Sequence, residues 1–240
     1  MAMCYNGTCN NVLGSFTRLE ELEVLVIDMC PEVSAVGECW EQTEGEGLHF
    51  PPPPSPPPGD RFPNLKMLHI SSCPKLKHLL LVPGRSCCSS TLYLKKLQEF
   101  AIHGCGELKR IIAAEVAAEE ESVQLPAMAL LPSMSTTSPM PPDALSQLKS
   151  IEIRECPKMK NVATRKLHPL LHNLQWIQVI NATNMEDIIV TPSPPPILAA
   201  TSTLFLPLLT MICVGRSHKM KRVLTLELFM LLPNLHTIMF

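Results

Sequence analysis

The sequence predicts an α/β repeat solenoid, in which short parallel strands line the concave face and the return arms are irregular or short helical. Three observations predict this fold class. One line of apolar residues recurs along most of the chain, and successive copies can follow one another after as few as 26 residues, as from Leu148 to Leu174. Within each copy, apolar and other residues alternate as they do in a short strand. A chain of 240 residues is long enough for several such coils.

The recurring line reads L-x-x-L-x-I-x-x-C-P-x-[LVM]-x-x-[VLI], with other apolar residues as replacements in its apolar slots. In the six complete copies every apolar slot holds an apolar residue, whereas the chain as a whole is 46% hydrophobic. This regularity is typical of a structural repeat. The copies begin at Leu22, Leu65, Leu97, Leu148, Leu174 and Leu209, and an incomplete copy begins at Leu235.

Each copy has two apolar residues separated by one position, such as Leu25 and Ile27, so both side chains lie on one face of a short strand. One copy cannot shield that face from water, whereas stacked copies share a continuous core. The pattern therefore predicts a leucine-rich-repeat horseshoe of about six and a half repeats over residues 13–240, preceded by an N-terminal tail at residues 1–12.

The shortest distance between two copies is 26 residues, found from Leu148 to Leu174 and again from Leu209 to Leu235, and we interpret it as the bare period of the repeat. Any greater distance contains an insertion, and every insertion falls between the end of one copy and the next strand. These segments are rich in proline, and one carries the acidic run Glu119–Glu121. They cannot bury enough apolar surface to offset the entropy lost on ordering, so we expect disordered or polyproline-like loops. The insertions cover residues 37–61, 112–144 and 189–204.

A cysteine recurs after the strand, once per copy, so the four examples lie far apart in the sequence. Zinc ligands come as close pairs instead. Ala182 and Ser217 fill the slot in later copies, which favours a small inward side chain and free thiols. A redox or metal role for the adjacent Cys87 and Cys88 is the alternative. The four cysteines are Cys30, Cys73, Cys105 and Cys156.

The composition excludes several classes of partner. The formal net charge of -2 at pH 7 provides no global attraction for nucleic acid or an anionic membrane surface. No stretch approaches the roughly 18 apolar residues of a membrane span, and the first residues do not resemble a secretory signal. We therefore expect a cytoplasmic protein with no nucleic acid as partner, no membrane span and no cofactor or metal.

The polar positions of the strands form the candidate partner-binding surface. Trp176, Ile180 and Met211 would form an exposed apolar cluster of the kind that anchors protein partners. The alternative is that a flanking domain covers this cluster. The candidate residues are Met67, His69, Glu99, His103, Glu152, Arg154, Trp176, Gln178, Ile180 and Met211.

Four lysines share one phase of the repeat, just beyond the cysteine slot, and we call them the basic stripe: Lys77, Lys109, Lys160 and Lys221. Ser34 and Glu186 interrupt the series. The stripe could dock an acidic domain or a phosphorylated partner. The alternative is that these lysines only keep the rim of the solenoid soluble.

A thiol nucleophile with an imidazole base is the enzymatic alternative, because His69 lies near Cys73 and His103 lies near Cys105. The register of the repeat opposes it, since the cysteines are expected to point inward and His69 outward. We therefore expect no catalytic site.

Three segments resemble the C-terminal leucine-rich repeats of plant coiled-coil nucleotide-binding disease-resistance proteins. They are Phe62–Lys77 (FPNLKMLHISSCPKLK), Leu148–Lys160 (LKSIEIRECPKMK) and Leu174–Ile189, which ends in the acidic return arm MEDII. The resemblance covers most of residues 13–240, apart from the insertions.

This resemblance implies a module of plant innate immunity that binds a protein partner: a pathogen effector, a guarded host protein, or the nucleotide-binding domain of a receptor. The chain has no G-x-x-x-x-G-K-[ST] phosphate loop, so nucleotide binding is not implied, and a repeat-only fragment is expected. The alternative is the substrate receptor of an F-box ubiquitin ligase, because cysteine-bearing repeats of about 26 residues also occur in such receptors.

Overall fold

The computed structural model describes residues 1–5, 19–33, 62–81, 94–113, 143–162, 170–189 and 206–240. These residues form an eight-stranded parallel sheet and a two-stranded parallel sheet. The strands of the larger sheet are β1 (Ala2–Tyr5), β2 (Val24–Asp28), β3 (Met67–Ser71), β5 (Glu99–His103), β7 (Ser150–Arg154), β8 (Trp176–Ile180), β9 (Met211–Gly215) and β10 (Thr237–Met239). The smaller sheet consists of β4 (His78–Leu81) and β6 (Arg110–Ala113), and α1 (Leu226–Met230) precedes β10.

The register of the larger sheet aligns equivalent positions of the repeat. Leu25 lies opposite Leu68, which lies opposite Phe100, and the same row continues through Ile151, Ile177 and Ile212. All six side chains are buried, as are those of the second inward row. The prediction of one parallel strand per copy is confirmed, and the architecture is compatible with a repeat solenoid.

The core contains one apolar row that the sequence analysis did not single out. Its members lie three residues before the first leucine of the six copies from Leu65 onward, and the leucine N–H donates to their carbonyl, as from Leu65 to Phe62 at 3.3 Å. This turn directs the chain into the strand and places both side chains in the core. The row consists of Phe62, Leu94, Leu145, Leu171, Leu206 and Leu232, all buried.

The residue after each of the strands β2, β3, β5, β7, β8 and β9 has a left-handed backbone. Gly104 follows β5 with a φ of 66°, and the five other positions, Met29, Ser72, Glu155, Asn181 and Arg216, have φ values of 51° to 57°. The N–H of this residue donates to the carbonyl that ends the next strand, as from Ser72 to His103 at 2.9 Å. The bend that leads into the return arm is therefore fixed by a backbone hydrogen bond between coils.

The return arms differ in part from the prediction of irregular or short helical segments. In two neighbouring coils they are extended, because β4 pairs in parallel with β6. Further along, Asp187 and Arg222 form an isolated parallel bridge. The helix α1, which Thr225 caps by accepting from the N–H of Leu228, is the one α-helix in the described part of the chain. None of the described helices has the length and apolar content to cross a membrane.

The N-terminal residues also differ from the expected tail. Ala2–Tyr5 forms β1, which pairs in parallel with β2 and places Cys4 opposite Ile27. The insertion at residues 37–61 lies outside the described residues, and so do most of the other two. At their edges, β6 extends to Ala113, a turn begins at Asp143, and Ile189 is buried.

Candidate interaction surface

The outward side chains of the large sheet form three rows that cross the coils. All ten candidate residues lie on this face, and none of them is buried. The alternation of the strands explains this, since residues next to an inward side chain must point outward. The first row runs through Val24, Met67, Glu99, Ser150, Trp176 and Met211; the second through Val26, His69, Ala101, Glu152, Gln178 and Cys213; the third through Asp28, Ser71, His103, Arg154, Ile180 and Gly215.

A depression of about 380 Å³ lies near the middle of this face, and we call it the central groove. Its floor is low because two small residues are placed among long ones. Ala101 lies between His69 and Glu152 in the register, and Ser150 lies between Glu99 and Trp176. The longer side chains around it are Met67, His69, Glu99, His103, Glu152, Arg154 and Trp176.

Seven of the ten candidate residues therefore line one groove, and Gln178, Ile180 and Met211 lie beside it on β8 and β9. The importance of Ala101 and Ser150 was missed by the sequence analysis. The signal was present, because both are much smaller than their cross-coil neighbours in the aligned copies.

Arg154 is held in place by two polar partners on the groove. It forms an ion pair with Glu152 on its own strand and donates to the side-chain oxygen of Gln178 on β8, at 3.2 Å. His103 lies 3.3 Å from the carboxylate of Glu155, with both side chains largely exposed. The guanidinium is thus compensated within the chain and ordered before any partner arrives.

Trp176 presents carbon surface to the groove. Its indole Nε1 is buried and has no hydrogen-bond partner among the described residues. The expected apolar cluster is only partly exposed, since Trp176, Ile180 and Met211 are each half-buried. Trp176 and Met211 are adjacent in the register, and Ile180 lies at the other end of β8.

Glu99 is the contrasting polar group. Its side chain is exposed at the start of β5, and its carboxylate makes no hydrogen bond or ion pair within the described ranges. Most carboxylates elsewhere in the sheet and return arms have a cationic partner, for example Glu23 with Lys66 and Glu32 with Lys75. The groove therefore contains one uncompensated negative charge.

The basic stripe lies along the return arms. The N–H of Lys109 donates to the carbonyl of Lys77 at 3.1 Å, and the N–H of Lys160 donates to that of Lys109 at 3.4 Å. Glu186 follows in the ladder and forms an ion pair with Lys221 at 2.6 Å, so the stripe is interrupted where the sequence indicated. The Lys221 ammonium, as hydrogen-bond donor and nearby charge, lowers the pKa of Glu186.

Ion pairs between coils neutralise part of this side. Lys158 lies 2.6 Å from Glu107, one coil earlier, and its hydrogen bond lowers the pKa of that carboxyl group. Lys109 and Lys77 lower the same pKa more weakly by their charges. Such exposed pairs contribute little to stability, because water and salt screen their charges. They align neighbouring coils more than they stabilise the fold.

The cysteine row lies inside the bend, as predicted. Cys73, Cys105 and Cys156 are buried free thiols, and each donates to the carbonyl two residues earlier, at 3.2 to 3.6 Å. Ser217 makes the same bond to Gly215 at 3.2 Å, so the small polar side chain closes the bend in this coil too.

The expectation of thiols is wrong at Cys30, which is disulfide-bonded. Cys87 and Cys88 lie outside the described residues. Within the described ranges, no group of three or more His, Cys, Asp or Glu residues could hold a metal ion. His69 is half-buried on the outward face, whereas the Cys73 thiol is buried and donates to the backbone carbonyl of Ser71.

A second cavity, of about 770 Å³, lies between the return arm after β9 and the helix α1. Met220, Val223 and Phe229 are among its apolar lining residues, and Phe240 completes it with 89% of its surface exposed. The sequence analysis did not identify this cavity.

The sequence matches no protein-family model and no curated protein.

Proposed function

We propose that the chain is a leucine-rich-repeat interaction module of the plant immune-receptor type, which binds a protein partner through the outward face of its large sheet and catalyses no reaction. The observation that carries the proposal is the central groove, where seven of the ten candidate residues meet on four neighbouring strands. The leucine-rich-repeat assignment is supported by the recurring copies of one apolar line, each with a strand, a left-handed bend and an inward cysteine or other small residue.

The surface has the size and chemistry that protein partners require. The large sheet contains seven strands from β2 to β10, since β4 and β6 belong to the smaller sheet. At a strand spacing of about 4.8 Å these seven strands give a face about 29 Å wide, enough for an ordinary protein interface. Trp176, Arg154 and Met67 belong to the residue types that are enriched in such interfaces. Because backbone hydrogen bonds hold successive coils in register, little conformational entropy is lost when a partner binds.

The type of partner is proposed from the resemblance of Phe62–Lys77, Leu148–Lys160 and Leu174–Ile189 to plant immune receptors. The partner would be a cytoplasmic protein: a pathogen effector, a host protein that effectors modify, or a receptor's nucleotide-binding domain. The mixture of apolar, anionic and cationic side chains around the groove suits a folded protein or an exposed segment of one.

Proximity labelling with the whole chain in plant leaf cells tests this function. Arg154→Glu reverses one charge in the lining of the groove, and Lys75→Glu reverses an exposed charge on the return side as the matched control. We expect a set of proteins labelled by the wild type and by Lys75→Glu but not by Arg154→Glu. If Arg154→Glu retains every labelled protein, the sheet face is not the binding surface; if the set consists of ubiquitin-ligase subunits, the immune-receptor assignment is wrong.

A further inference from the structure

We propose that the central groove binds one cationic side chain, an arginine or a lysine, from an exposed segment of the protein partner. This inference rests on the proposed function and specifies the chemistry at the middle of the surface. It follows from three features of the groove: an uncompensated carboxylate, an aromatic wall and a space for one side chain between them.

The carboxylate is Glu99. The other acid of the groove, Glu152, is already paired with Arg154, and Arg154 is also bound to Gln178, so neither side chain has a free charge to offer. The Glu99 carboxylate has no hydrogen-bond or ion-pair partner in the described part of the chain. A bound cation would therefore satisfy Glu99 without breaking an existing ion pair, whereas a bound anion would meet a repelling charge.

The space is defined by Ser150, which separates Glu99 from Trp176 in the first outward row. Two strand spacings place the backbones of Glu99 and Trp176 about 10 Å apart, and only the small serine side chain lies between them. Ala101 lowers the floor beside it. One long, narrow side chain fits this gap, in which a branched or aromatic residue would displace the walls.

The walls suit the aliphatic stem and the charged head of such a side chain. Trp176 turns its buried Nε1 away from solvent and offers carbon surface, and Met67, 36% exposed, lies at the opposite side next to Glu99. Lysine and arginine stems pack on apolar surface while their heads reach a polar group, and an indole face within about 6 Å also attracts the cation.

A random dodecapeptide library displayed on phage and panned against the whole immobilised chain tests the inference. The selected peptides are then synthesised with arginine or with its neutral isostere citrulline, and lysine peptides with norleucine. Glu99→Gln removes the groove charge at an exposed position, and Glu20→Gln is the matched control at an exposed carboxylate outside the groove. Ala101→Met fills the floor of the groove.

We expect the selected peptides to share a basic residue, and Glu99→Gln to weaken their binding about tenfold, equivalent to about 1.4 kcal/mol. Glu20→Gln should leave their affinity unchanged. The citrulline peptide should bind wild type and Glu99→Gln equally, because it has no cation whose contact with the Glu99 carboxylate could be lost.

Two other outcomes would overturn the inference and separate it from the proposed function. Peptides that carry no basic residue, lose binding in Ala101→Met and keep it in Glu99→Gln would show a groove that binds proteins by other chemistry. Peptides unaffected by both substitutions, or no selected peptides at all, would also remove the support for the sheet face as the binding surface.

Discussion

The thiol of Cys105 lies against that of Cys73 in the preceding coil, and this contact together with burial raises the pKa of Cys105 well above its usual range. Burial likewise raises the pKa of Cys156, to about 11. Cys105 and Cys156 are therefore protonated at neutral pH, and each donates to the backbone carbonyl two residues earlier.

We expect these thiols to resist alkylation in the folded protein. At pH 8 a thiol with a pKa of about 11 is only about 0.1% ionised, so Cys156 should react with iodoacetamide at least about a hundredfold more slowly than an ordinary exposed thiol. Cys213, half-buried on the outward face, should react first among the described free cysteines. Mass spectrometry of each cysteine peptide against time gives the rates.

The denatured protein is the control for this measurement, since all free thiols should then react at similar rates. Equal labelling of Cys156 and Cys213 in the folded state would mean that the cysteine row is accessible, contrary to the packing found in the bend.

The left-handed bends make a prediction about stability. Ser72 is exposed and has a φ of 52°, a conformation that a β-branched residue adopts only with strain. Ser72→Val should lower the free energy of unfolding by about 1 to 2 kcal/mol, whereas Ser72→Gly should keep or raise it. Urea denaturation of both variants provides the comparison.

Met67→Val introduces the same side chain in the extended conformation of β3 and controls for β-branching alone. If the two valine variants lose equal stability, the left-handed geometry of the bend does not explain the effect.

The sequence predicted the rows of this sheet because inward and outward residues alternate within every copy. Leu25 and Leu68 could be placed opposite each other from the repeat alone, and the small inward cysteines followed from their phase. The pairing of β1 with β2 could not be predicted, since Ala2–Tyr5 lacks the recurring line and joins the sheet through backbone hydrogen bonds. Extended return arms were missed for the same reason, because backbone pairing leaves little trace in side-chain type.

The candidate site, like the sheet, could be predicted only in part from the sequence. Phase alone brought Glu99, Glu152 and Trp176 to one face. Which charges pair across that face depends on side-chain conformations, so the free carboxylate of Glu99 and the paired state of Arg154 emerged only from the structure. The low floor at Ala101 could be recognised only from the register between β5 and β7, which a long insertion separates in sequence.

The ion pair between Glu107 and Lys158 predicts a pH dependence on the return side. The hydrogen bond from Lys158 lowers the pKa of Glu107, so the stabilisation is present above the usual glutamate pKa and is lost as the pH falls through the lowered value. In Lys158→Gln, carboxyl NMR should find the Glu107 pKa closer to its usual value. Lys66→Gln, which removes the partner of Glu23 instead, should leave the Glu107 pKa unchanged. A Glu107 pKa that does not move in Lys158→Gln would contradict the contact.

The shared core predicts the largest loss of stability at Ile153 on β7. Its side chain is fully buried, between Ile102 and Val179 of the neighbouring strands, so an aspartate there would be a charge without a partner in an apolar interior. Ile153→Asp should abolish cooperative unfolding, as measured by circular dichroism during heating. Ile153→Val should cost about 0.5 to 1.5 kcal/mol. Gln178→Asp places the same charge on the outward face of β8 and should change the free energy of unfolding by less than about 1 kcal/mol. A folded Ile153→Asp with an unchanged transition would mean that the inward row does not form the core, because an unpaired charge in an apolar interior strongly destabilises the folded state.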